Sequence, residues 1–311
     1  MISDFLSAKR RHLRIAIFCR SPNPNLNKDT TECPCTVTVR YPFLISVPHG
    51  GVEVPPEVSG RLVLGPGELS WYCDPGTRTL FDFGTAVEAF IDTPVSRMVV
   101  DLNRPPLPLP PRDPDGIIKV RTIDGRSVYL PGQFPDIDLI HRLLMQWYFP
   151  FHQQVDELID HNGVAIAFDC HSMLPVGSRE QKDAGRPRPL ICLGNNGDSR
   201  GRPRKNSIAT CPESWVTSLA DAFREEFSLD REVAINDPFS GGFISNAHYW
   251  RKGVPWVQVE INRSLYEPGE ETVNREEESH RNILRLRENL WKALTRFWED
   301  AKREALPHQA A

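Results

Sequence analysis

The one G-x-S-x-G match in the 311 residues, GDSRG at Gly197–Gly201, lies in a basic, turn-rich stretch without the helical pattern that must follow a nucleophile elbow, and neither a G-x-x-x-x-G-K-[ST] loop nor a G-x-G-x-x-G turn is present. A serine hydrolase built on that elbow, a P-loop nucleotidase and a dinucleotide-binding enzyme are each disfavoured. No apolar run approaches the roughly 18 residues needed to cross a bilayer, so membrane integration is not expected. Charge is nearly balanced, with 37 basic against 41 acidic residues and a formal net charge of -4. Nothing in that balance attracts nucleic acid or an anionic membrane, and any selectivity for charge has to be local. The seven cysteines, Cys19, Cys33, Cys35, Cys73, Cys170, Cys192 and Cys211, are odd in number and contain no C-x-x-C pair. They read as reduced thiols, and the expected location is the cytoplasm.

What is present fits a globular enzyme, 40% hydrophobic and 25% charged. Lys9, Arg10, Arg11, Arg14 and Arg20 surround LRIAIFC in a pattern partly like a transit peptide, although Asp4 is atypical. The polar, turn-rich stretch from Ser21 to Thr36 follows. The plainer expectation is a flexible extension over residues 1–36 and one catalytic domain over residues 37–305. Within that domain, short apolar runs predict strands at Phe43–Val47, Val95–Leu102, Val164–Cys170, Pro189–Leu193 and Val254–Ile261. Apolar residues spaced three and four apart predict helices over 136–160 and 213–227. Strands alternating with helices make this an α/β chain on a largely parallel sheet. The tail from Thr272 to Ala305 predicts a charged helix whose stripe of Ile283, Leu286, Leu290, Leu294 and Phe297 packs on the outside of the domain. The run RPPLPLPPRDPDG, Arg104 to Gly116, fits neither helix nor central strand and predicts an extended loop or lid.

Several predicted strands stop at residues able to do chemistry, and ligands of open α/β sheets bind beyond the carboxyl ends of strands. LISVPHGG ends in His49, VAIAFDCHS in Asp169 and His171, VVDLNR in Asp101, Asn103 and Arg104, and VQVEINR in Glu260 and Arg263. Side chains alternate along a strand, so Asp169 and His171 share a face while Cys170 points away. That argues against a Cys170/His171 nucleophilic couple. The histidines and carboxylates that remain suit a hydrolytic metal, which takes three nitrogen or oxygen ligands and leaves a fourth position open. His49 and His171 are the nitrogen candidates. Asp74 and Glu53 compete for the third position. Gly50 and Gly51 are expected to let the backbone turn away beneath the substrate.

Taken in order, SVPHGG, DPGT, DLNRPP, DCHSM, PFSGGFIS and VQVEINRSLY resemble the N-formylglutamate amidohydrolase family over about residues 41–270. The resemblance implies a three-layer αβα sandwich around a mixed, largely parallel sheet, as in the zinc carboxypeptidases and aspartoacylases. It implies metal-dependent hydrolysis of N-formyl-L-glutamate to formate and glutamate, at the end of a histidine-degradation route. One zinc ion would be held by His49, Asp74 and His171, with Asp74 preferred to Glu53, which stands four residues after His49 where the carboxypeptidase relatives have a glutamate at three. Glu260 resembles their general base. Asn103 and Arg104 resemble their substrate-carboxylate pair, with Arg263 as a second candidate. His152 matches a family histidine that precedes the DCHS strand, with capping or packing as its plainer role. The Pro-rich loop and the basic stretch Asn195–Ser207 are departures expected to alter the pocket rim. The partner expected is a small acidic N-acyl amino acid. The alternatives are a related metallohydrolase acting on another N-acyl amino acid or peptide, or a non-catalytic binding protein on the same scaffold.

Overall fold

The computed structural model describes residues 40–228, 232–269 and 271–304, so the expected N-terminal extension lies outside the described residues. Strand β1 (Tyr41–Val47) is the first element among the described residues, and three short helices follow it: α1 (Pro56–Ser59), α2 (Pro66–Tyr72) and α3 (Thr77–Leu80). Then come β2 (Val87–Asp92), α4 (Ile137–Leu143), α5 (Phe149–His161), β3 (Ile166–Met173), β4 (Ile191–Gly194), α6 (Glu213–Phe227) and β5 (Val233–Ile235). Helix α7 (Phe243–Lys252), β6 (Trp256–Asn262) and the 30-residue α8 (Arg275–Glu304) complete it. One π-helical turn, Leu144–Tyr148, joins α4 to α5. Pro150 follows at once and has no amide to donate to the preceding turn, which widens there.

The six strands form one sheet in the order β2-β1-β3-β6-β4-β5. β2, β1, β3 and β6 run parallel, while β4 lies antiparallel to β6 and carries β5 parallel beside it. This is the mixed, largely parallel sheet the family resemblance implied. One face packs Phe43, Ile45, Phe168, Val257 and Val259 against α6 and α8. Phe43 meets Phe168 edge-on at 5.4 Å and Trp298 at 5.8 Å. The other face packs Leu44, Ala167 and Trp256 against α4, α5 and α7. Two helical layers therefore enclose the sheet, and the stripe of α8 is buried against it while the charged face stays outside. Among the described residues no helix is long and apolar enough to cross a membrane.

Each strand of the second face changes character along its length. Leu44 gives way to Ser46, Ala167 to Asp169 and His171, and Trp256 to Gln258 and Glu260, all of them buried. Register places Ser46 beside Asp169, Asp169 beside Gln258, and His171 beside Glu260. The apolar half anchors the helices, and the polar half collects at the carboxyl ends of β1, β3 and β6. Cys170 falls on the opposite, apolar face, and Cys73, Cys170, Cys192 and Cys211 are all free and buried.

Two expectations are corrected, and a third gains its physical reason. Val95–Leu102 is not a strand: Val99 and Val100 both donate their amides to Ser96 O, and Asp101 donates to Ile117 O. Its valines are buried because the turns press them into the helical layer, which a continuous apolar run cannot distinguish from a strand. The strand beside β1 is instead VEAFID, whose alternating burial marks a half-covered edge. The turn expected at Gly50 and Gly51 is made without left-handed backbone, since neither has positive φ. A Cβ on Gly51 would lie 2.3 Å from the carbonyl oxygens of Thr93 and Pro94, so close backbone approach is what excludes a side chain there. Lastly, the basic stretch Asn195–Ser207 folds over the start of α6, with Asn195 donating to Gly201 O and Cys211 O and Arg202 pairing with Glu213. It does not line the cavity described next.

Candidate active site

A cavity of about 370 Å³ opens at the carboxyl ends of β1, β3 and β6 and is lined by His49, Asp74, Arg97, Arg104, His171 and Glu260. β1 ends at Val47, and the turn that follows delivers His49 to the cavity floor. His49 O accepts the amide of Asp74 at 2.9 Å, which ties the Asp74 loop to this turn. The same loop is gripped from behind by Arg263, whose guanidinium donates to Trp71 O at 2.8 Å and to Cys73 O. Ser172 N donates to Asp74 Oδ2 at 3.3 Å, linking the loop to β3.

The ring nitrogens reveal what the two histidines offer. His49 Nε2 lies 2.7 Å from Asp101 Oδ1, and His171 Nε2 lies 3.1 Å from Asp169 Oδ2. A carboxylate only accepts, so each Nε2 carries the hydrogen; His49 Nδ1 keeps a lone pair for a cation, whereas His171 Nδ1 donates to Asp74 Oδ2 and gives up that proton when a cation takes its place. The two Nδ1 atoms turn toward Asp74 Oδ2, at 3.6 Å from His49 and 3.1 Å from His171. His49 Nδ1 is buried and has no hydrogen-bond partner among the described residues. The three candidate ligand atoms lie within 4.8 Å of one another. Two imidazole nitrogens and one carboxylate oxygen, with a carboxylate behind each imidazole, form a donor set that fits zinc. Glu53, the competing acid, is exposed and joins its neighbours through backbone bonds to Pro94 O and Ser96 N.

Charge accumulates around this cluster. Burial works against the Asp74 charge, but a hydrogen bond from His171, the His49 imidazole at 3.6 Å and the nearby Arg97 guanidinium hold the carboxyl well below the usual range. Burial opposes the Asp101 charge too, and Lys119, Arg97 and His49 outweigh it, keeping that carboxyl well below its ordinary value. Burial alone would discharge His171, yet Asp169 and Asp74 hold its affinity for a proton well above the ordinary imidazole value. The pocket between these acids therefore favours a cation. Glu260 stands apart: burial pushes its carboxyl up to about 7, against the pull of His171, and Gln258 Nε2 donates to it at 2.7 Å.

Asn103, Arg104 and Arg263 meet different surroundings. The Asn103 amide nitrogen donates to Asp169 Oδ2 at 2.9 Å, and its oxygen accepts from Ile244 N at 2.8 Å. A Cβ on Gly242 would fall 2.2 Å from that amide, so the glycine pair of PFSGGFIS gives Asn103 its room. Asn103 and Arg263 are thus both engaged within the protein. Arg104 is half-buried at the rim and donates through Nε and Nη2 to Asp115 O and Asp115 Oδ2, at 2.9 and 2.8 Å.

Two cations escaped the sequence reading. Arg97 donates to Asp101 Oδ2 at 3.1 Å, reaches within 3.7 Å of Asp74 and remains 19% exposed toward the cavity. Lys119, fully surrounded, pairs with Asp101 at 2.9 Å and Asp115 at 2.6 Å. A lysine inside the apolar run IIKV was the available signal for the second. The first carried no signal, because SRMVVDLNR does not show that its chain doubles back.

A profile of the N-formylglutamate amidohydrolase family matches residues 41–267, from the first residue of β1 to just beyond β6. The chain belongs to this family. Within it, the N-formylglutamate deformylase of Pseudomonas aeruginosa is 33% identical over 239 residues, covering 73% of this chain and 82% of that protein. That of Pseudomonas putida is 30% identical over 240 residues, with the same coverage. Among solved structures, the N-formylglutamate amidohydrolase from Ralstonia eutropha JMP134 superposes with a TM-score of 0.64 at 21% identity, over 85% of this chain and 95% of that one. A protein from Agrobacterium tumefaciens follows at 0.55 and 24%, over 82% and 89% of the two chains. Both likenesses speak for the fold. Helix α8 lies beyond the family match and belongs to the outer layer rather than the cavity.

The carboxylates behind the imidazoles carry a prediction. Asp101→Asn keeps the shape but loses the charge that fixes the His49 tautomer, and metal affinity is expected to fall about 10- to 100-fold. Competition with a chelator of known affinity measures it. Unchanged affinity would mean that Asp101 does not orient His49.

Proposed function

We propose that this chain is a mononuclear metal-dependent amidohydrolase that deformylates N-formyl-L-glutamate, with His49, Asp74 and His171 holding the ion. The observation that carries the reading is the convergence of the Nδ1 atoms of two histidines on one carboxylate oxygen, beside a buried glutamate, in a chain of this family. A divalent ion such as zinc, when bound there, supplies Lewis acidity and makes water a stronger acid at neutral pH.

The protein's own groups supply the rest. Glu260 faces the cavity one strand over from His171, neighbouring strands lying roughly 4.8 Å apart. It takes the proton of the attacking water and returns it to the departing amine nitrogen. Its raised proton affinity suits a group that must hold that proton for part of the cycle. Arg97, beside Asp74 and partly free, faces the negative charge that develops on the formyl oxygen. Arg104 at the rim meets the substrate carboxylate, exchanging part of its grip on Asp115 for a planar two-bond contact that lysine cannot copy. Arg104→Ala is expected to raise KM about 10- to 100-fold, the worth of a hydrogen bond to a charged group, with kcat changed far less. Steady-state kinetics decide that, and an unchanged KM contradicts the role.

Parallel assays on N-formyl-L-glutamate, N-acetyl-L-glutamate and a glutamyl dipeptide test the substrate. Formate release from the first, at much the highest kcat/KM, is expected. Turnover only of the acetyl or peptidyl compound assigns another amide to the same machinery. No turnover together with no bound metal makes the chain a binding protein.

A further inference from the structure

Behind the cavity wall, α5 and α7 hold a second pair of histidines that the reaction does not touch. His152 Nε2 lies 3.1 Å from Leu102 O, His152 Nδ1 lies 2.9 Å from His248 Nε2, and His248 Nδ1 lies 2.8 Å from Asp156 Oδ1. The chain of contacts ends on Arg251, whose Nε pairs with Asp156 Oδ2 at 2.7 Å. The rings are within 19° of parallel, as an in-plane contact between nitrogens allows. Tyr148 and Phe243 cover His152, and Trp256 covers His248.

A proton count follows from these contacts. The carbonyl of Leu102 and the carboxylate of Asp156 only accept, so His152 Nε2 and His248 Nδ1 must both carry hydrogen. The contact between the inner nitrogens needs a third. Two neutral imidazoles bring two protons in all, and one of the three contacts would then set lone pair against lone pair. With one added proton every contact is a hydrogen bond, and the single positive charge lies one ring from Asp156.

We propose that His152 and His248 are positioning residues that share one added proton and thereby fix Leu102 and the Asn103 amide that follows it. Asn103 shares Asp169 Oδ2 with His171 Nε2, and its oxygen holds the amide of Ile244 in the first turn of α7. The segment carrying Asn103 is therefore fastened to α7 twice, through Ile244 and through the two imidazoles. The charged groups facing the pair are Asp156 on its own α5, Arg251 on α7 and Asp169 on β3. Burial pushes His152 down to about 3, with the His248 charge adding to it, so a second proton is refused. Burial lowers His248 as well, against the support of Asp156, so the shared proton is present on the acidic side and is lost as pH rises.

The positioning role rests on the metal-site reading above, whereas the proton count does not, and two measurements keep them apart. In the full-length protein with ¹⁵N-labelled histidine, the two imidazoles are expected to titrate as a unit that gains one proton, and Asp156→Asn is expected to move that step to lower pH. Two neutral imidazoles with independent titrations overturn the shared proton. Zinc affinity is then compared in wild type, His152→Ala and His152→Gln. The alanine variant is expected to lose about ten-fold, and the glutamine, whose amide donates to Leu102 without titrating, to recover most of it. Equal losses in both variants, as packing alone predicts, overturn the positioning role. A wild type that binds no zinc overturns the metal-site reading and the positioning role with it, leaving the proton count to stand or fall by the imidazole titration.

Discussion

His171→Ala is expected to abolish both metal retention and deformylation. The imidazole sits on β3 with Asp169 behind it and Asp74 in front, and its Nδ1 is one of three candidate ligand atoms within 4.8 Å of one another. Two ligands hold a divalent ion far less tightly than three, and without the ion the water must be ionised at its bulk value instead of near 7. The rate is expected to fall by at least about a thousand-fold on that account. Elemental analysis of the dialysed variant reads the metal, and formate assay reads the rate. A variant that keeps a full equivalent of metal and its activity contradicts the ligand set. Alanine leaves the apolar core of the opposite face untouched but strands the buried Asp169 and Asp74 carboxylates, so circular dichroism of the variant accompanies the assay to separate loss of the site from loss of the fold.

Glu260→Gln separates chemistry from binding. The amide is isosteric and keeps a contact with Gln258, so metal content and KM are expected to stay near wild type while kcat drops about 10²- to 10⁴-fold, the usual worth of a general base. Wild-type activity should rise with pH as this carboxyl ionises. Burial puts that step at about 7, and the charge of a bound cation draws it lower. The sign is fixed by the role: the base works only when unprotonated, so activity is lost as pH falls through its value. The same limb should vanish in the glutamine variant. A variant whose kcat and pH profile match wild type would assign the proton transfer to another group.

The parts of this account that rest on local pattern were legible in the sequence. Alternation along VAIAFDCH and VQVEIN sets Asp169, His171, Gln258 and Glu260 on one face, and pairing the two strands in parallel brings His171 beside Glu260. Three- and four-residue spacing is likewise local, which is why the stripes of α6 and α8 could be read directly. What stayed hidden depends on contacts across long stretches of chain. The carboxylate behind His49 comes from Asp101, 52 residues on, at the end of a run that has strand composition but folds as turns. Asn103 lines the cavity, but DLNRPP read alone does not show what holds its amide. Only Ile244, 141 residues away, and Gly242 beside it show that its amide is held inside the protein. Helix α7 itself buries Ser245 and His248 beside Ile244 and leaves Trp250 exposed, so its pattern does not announce that it carries one half of a histidine pair.

The central claim is that one divalent ion, held by His49, Asp74 and His171, is what makes this scaffold a deformylase. Stripping the wild-type protein with a chelator and returning zinc in measured steps, while following formate release from N-formyl-L-glutamate, tests it most directly. Activity should be lost on stripping and return in proportion to added metal, with a break at one equivalent per chain. Full activity in the metal-free protein contradicts the claim.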